Sequence, residues 1–121
     1  METNFVTQEG KRVIIKTGLK GLIQLAKLSD MNVDLKDEDI IYWGLWPQAI
    51  PNLTQQEQVE LAKQILAAIT IPTLEQTDEW YRQGLGEIGL SLDTLERLTP
   101  EELDLAYEGY LRRIELTVNA V

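Results

Sequence analysis

Residues 80–113 read WYRQGLGEIGLSLDTLERLTPEELDLAYEGYLRR, and this stretch decides that the chain is built from helices. Thr99-Pro100-Glu101-Glu102 is its strongest start signal, with a capping hydroxyl, a proline at the first helical position and a glutamate at the third. Leu103, Ala106, Tyr107, Tyr110, Leu111, Ile114 and Val118 then recur at three- and four-residue steps, the spacing of one helical face. Upstream, Ser91 caps a short helix running to about Leu98. Gly89 fits the left-handed position that ends a helix, here one capped by Thr77 and lined by Trp80, Tyr81, Leu85 and Ile88.

Moving towards the N-terminus, Thr54-Gln55-Gln56-Glu57 is a second capping box, followed by an apolar stripe of Val59, Ala62, Ile65, Leu66 and Ile69. Pro72 ends that helix, and Thr73–Gln76 reads as a linker at which a single domain of residues 1–121 would subdivide. Asp37, Glu38 and Asp39 sit where a helix dipole favours acids, ahead of the apolar Ile40, Ile41, Trp43, Leu45 and Trp46. Leu19, Leu22, Ile23 and Ala26 predict an earlier helix capped by Thr17. Asn4–Thr7 and Lys11–Lys16 flank Gly10 and predict a β-hairpin, because Val13, Ile14 and Ile15 are stiff branched residues. The expected fold is mainly α, with a small N-terminal β-hairpin followed by five or six helices.

Composition narrows the chemistry. The 121 residues contain no cysteine and no histidine, which removes the thiolate and imidazole groups of most nucleophilic, acid–base and metal sites. Catalytic fingerprints for acyl transfer or nucleotide binding are missing from the sequence. The expectation is a protein without enzymatic activity, cofactor or metal. Asp30, Asn32, Asp34, Asp37, Glu38 and Asp39 are rich in oxygen donors, but an EF-hand counted from Asp30 would place Leu35 and Ile41 where Gly and Glu are needed. An irregular calcium site there, in a small acidic regulatory protein, stands as an alternative. Net charge is −9, of which residues 51–121 carry −8 with thirteen acids against five bases. That balance disfavours nucleic acid as a partner. It leaves open an acidic adaptor or inhibitor of a basic partner. No apolar run approaches the ~20 residues of a membrane span, and no basic and apolar leader opens the sequence. The expected location is the cytoplasm.

Aromatic and arginine side chains dominate protein interfaces. Tyr107, Tyr110, Arg112, Arg113 and Trp80 are therefore the candidate partner-binding residues.

Leu98-Thr99-Pro100-Glu101-Glu102-Leu103 and Glu108-Gly109-Tyr110-Leu111-Arg112-Arg113 give residues 80–113 a resemblance to the C-terminal part of phage tail assembly chaperones. Glu96-Arg97 depart from the aromatics that some members carry just before this pattern. The resemblance implies a non-catalytic phage or prophage assembly factor acting in the host cytoplasm. It would bind tape-measure protein, shield its hydrophobic helices and recruit tail-tube subunits. Self-association is left open.

Overall fold

A computed structural model of the chain describes residues 3–32 and 34–119, with the Asn119 side chain outside that description. Two antiparallel strands, β1 (Thr3–Val6) and β2 (Arg12–Ile15), form the expected hairpin. Phe5 lies opposite Val13, and both point into the core. Gly10 takes the left-handed φ of 83° that the turn requires. Six α-helices follow: α1 (Leu19–Asp30), α2 (Asp37–Leu45), α3 (Gln55–Ala68), α4 (Leu74–Tyr81), α5 (Leu92–Arg97) and α6 (Pro100–Asn119).

Local capping chemistry sets several of these boundaries. Thr54 and Glu57 form a reciprocal capping box on α3. Thr99 and Glu102 do the same on α6, at 3.0 and 3.2 Å. The Ser91 hydroxyl accepts from the Thr94 N–H at the start of α5. Each device satisfies amides that the first helical turn leaves without partners.

Three expected boundaries are corrected. Thr17 does not cap α1; Gly18 occupies that position, and the Thr17 hydroxyl donates instead to the Gly44 carbonyl at 2.5 Å. Thr77 does not cap α4 either. Thr73 accepts from the Gln76 N–H, while Thr77 lies inside the helix and donates to the Leu74 carbonyl. The predicted Thr73–Gln76 linker is therefore a helix cap and a first turn.

The α3 stripe is also rotated from its expected position. Leu61, Ala62 and Ile65 are buried, whereas Val59 and Leu66 are exposed. The core forms two clusters. One joins Phe5 and Val13 of the hairpin to Ile40, Ile41 and Leu45 of α2 and Leu61 and Ile65 of α3. The other joins Leu19, Leu22 and Ile23 of α1 to Trp80, Leu95 and Leu103. Ile69 packs against both. Helix α1 touches α2 on one side and α4 and α5 on the other. Gly21 allows that approach, since an added Cβ would collide with the Trp43 carbonyl. Among the described residues no helix is long and apolar enough to cross a membrane.

Candidate functional site

The predicted helix ending at Gly89 changes type partway. After Tyr81, residues Arg82–Ile88 continue as a π-helix, and Gly89 closes it with a φ of 82°. Leu90 N–H then donates back to the Gly84 carbonyl at 2.8 Å. Such wide turns are rare in proteins. Gly84 is buried there, and any Cβ on it would overlap Leu95 of α5. The π segment is thus the surface on which both α5 and α6 rest.

Arg82 ties this segment together. Its guanidinium pairs with Glu79 in α4 and with Glu87 at 2.6 Å. Those hydrogen bonds raise the Arg82 pKa further and lower that of Glu79. Tyr107 of α6 lies near the same carboxylate, and Glu87, followed by desolvation, raises its pKa. Glu87 Oε2 is buried with no hydrogen-bond partner among the described residues.

Helix α6 leaves the body just beyond this contact. Along one face, Leu103 is 0% exposed, Tyr107 and Tyr110 are half-buried, and Leu111, Ile114 and Val118 are 46%, 43% and 67% exposed. These residues lie four, three, one, three and four positions apart, so they share one side of the helix. The body covers the first part of a continuous apolar stripe and leaves the rest open. Leu105 and Leu116 are also exposed, on the opposite side.

The candidate residues are divided by this arrangement. Tyr107 and Tyr110 are brought together, with ring centroids 6.0 Å apart. Arg113 is exposed one turn beyond Tyr110, with Nε donating to the Gly109 carbonyl at 3.4 Å. Arg112 is exposed, but at about 100° per residue it lies roughly 140° around the helix from Tyr107. Trp80 is separated from them all. It is 7% exposed, a member of the α1–α5–α6 core, and lines a cavity of about 510 Å³ between the hairpin, the α3–α4 connection and the start of α6. Leu111, Ile114 and Val118 belong to the open surface, and sequence periodicity placed them on a helical face without distinguishing covered from uncovered turns.

Asp37, Glu38 and Asp39 occupy the first turn of α2. Among the described residues no three acidic side chains gather closely enough to hold a metal ion. Comparison with protein-family models, curated proteins and solved structures gives no match.

Proposed function

We propose that this protein is a non-catalytic assembly factor that binds an apolar segment of another protein through the open half of α6. The supporting observation is the fall in burial along one stripe, from Leu103 at 0% to Val118 at 67% exposed. A lone helix gains little from apolar residues that face water. Covering the remainder of Leu111, Ile114 and Val118 contributes about 1 kcal/mol per side chain. Tyr107 and Tyr110, paired in a tilted arrangement where the helix leaves the body, provide an anchored and partly exposed aromatic edge.

The resemblance of residues 80–113 to phage tail assembly chaperones gives this reading its biological form. The partner is then tape-measure protein, whose apolar helices the chaperone keeps from aggregating. Co-purification with a tape-measure protein encoded in the same gene cluster tests it. The native chain is expected to retain the partner, and Ile114→Asp to release it while the fold persists by circular dichroism. Equal retention by both proteins, or none by either, sinks the proposal.

A further inference from the structure

The open stripe of α6 is bordered by charge on one side. Glu101, Asp104, Glu108 and Glu115 are spaced so that, at about 100° per residue, they fall within an arc of roughly 60° next to Leu111 and Val118. All four are exposed, and none forms an ion pair among the described residues. Asp104 and Glu108 repel each other at i,i+4 spacing, and the nearby base, Arg112, lies one turn beyond Glu108 on the side of the acidic line away from the apolar stripe. The opposite border holds Tyr110, Thr117 and Arg113, with Arg113 turned back on its own helix.

A second copy of this chain fits the surface badly. Two α6 helices packed antiparallel bring matching borders together, so the acidic lines face each other. Packed parallel, they set two bodies of charge −9 side by side. A helix from another protein meets neither obstacle.

Resting on the α6 reading above, we infer that the occupant of this face is an amphipathic helix with lysine or arginine along one border of its apolar stripe. Its leucine-like side chains cover Leu111, Ile114 and Val118. Its basic border lies along Asp104, Glu108 and Glu115. The apolar contact supplies adhesion, and the charged border sets orientation and partner choice.

Three synthetic helical peptides of about five turns test the inference. They share one leucine stripe and differ only in carrying Lys, Gln or Glu at its borders. Each is titrated into the full chain by calorimetry, with methyl NMR signals of Leu111, Ile114 and Val118 followed in parallel. The Lys peptide is expected to bind about tenfold tighter than the Gln peptide at low salt, with the gap closing as salt rises. The Glu peptide is expected to bind weakest. Leu111→Glu/Ile114→Glu should abolish Lys-peptide binding although it adds negative charge. Asp104→Lys/Glu108→Lys should reverse the ranking. Equal binding of the Lys and Gln peptides, both lost in Leu111→Glu/Ile114→Glu, overturns the charge inference and leaves the α6 reading standing. Lys-peptide binding that survives Leu111→Glu/Ile114→Glu is diffuse attraction to an acidic protein and overturns the inference. A dimer in light scattering that Ile114→Glu disperses assigns the face to a second copy and overturns it too. No methyl shift with any peptide overturns both the inference and the reading it rests on.

Discussion

Glu57 accepts the backbone N–H of Gln8 at 2.9 Å, which joins the hairpin turn to the first turn of α3. Its other oxygen accepts the N–H of Thr54 at 3.0 Å. One carboxylate therefore completes a helix cap and anchors a segment 49 residues away.

Those backbone donors hold the Glu57 pKa below its ordinary value, chiefly through Thr54 and then Gln8. Glu102, capped through Thr99, is lowered in the same way. A lowered folded-state pKa contributes stability above the unfolded value, and that contribution disappears as pH falls through the folded value. Thermal melts are thus expected to lose midpoint temperature on the acid side of the ordinary carboxylate range. Glu57→Gln should be less stable than the native chain at neutral pH, with the difference narrowing in acid. A constant difference across that range would contradict the assignment.

At the alkaline end the sign reverses. Tyr107 is raised first by the neighbouring Glu87 carboxylate, and Tyr81 first by desolvation. A phenol with a raised folded pKa stabilises the fold below its unfolded value, and that stability is lost as pH climbs through the folded value. Absorbance titration of phenolate formation should show late-ionising tyrosine, and Tyr107→Phe should remove part of that late fraction. An unchanged titration curve in the variant would count against the Glu87 contact.

Two glycines should respond oppositely to alanine. Gly109 lies inside α6, where an added Cβ meets nothing within 4 Å. Gly109→Ala is expected to stabilise the chain by up to about 1 kcal/mol, since alanine loses less conformational freedom in a helix. At Gly84 the added methyl would strike Leu95, and overpacking there should cost about 1–3 kcal/mol. Urea unfolding of both variants measures the pair.

Along the α6 stripe, stability and binding should separate. Leu103 is fully buried, so Leu103→Ala should cost about 2–5 kcal/mol. Ile114 is 43% exposed, and Ile114→Ala should change stability by about 0.5–1 kcal/mol at most. Partner retention should fall in Ile114→Ala even so. Similar unfolding midpoints for Leu103→Ala and Ile114→Ala would mean that the body covers the stripe for its whole length.

Features that depend on neighbours a few residues apart are legible in the chain alone. The Thr54–Glu57 and Thr99–Glu102 boxes, the Ser91 cap, the Gly10 turn and the Gly89 terminus all form as their local chemistry requires. Caps and hydrophobic periodicity together bounded the helices at five or six, and periodicity gave the apolar side of α6.

Tertiary structure decided whatever rests on contacts distant in the chain. Thr17 was drawn from a capping role to the Gly44 carbonyl, and Leu61 rather than Val59 was turned into the core. The wide π turn at Arg82–Ile88 is seated against Leu95 and Tyr107, which no local pattern announces. The limit of coverage on α6 is the same kind of outcome. Leu103 and Ile114 share one spacing and one side of the helix, but only Leu103 has the body beneath it. Periodicity records which side of a helix is apolar, and it carries no information about where the surface that covers it stops.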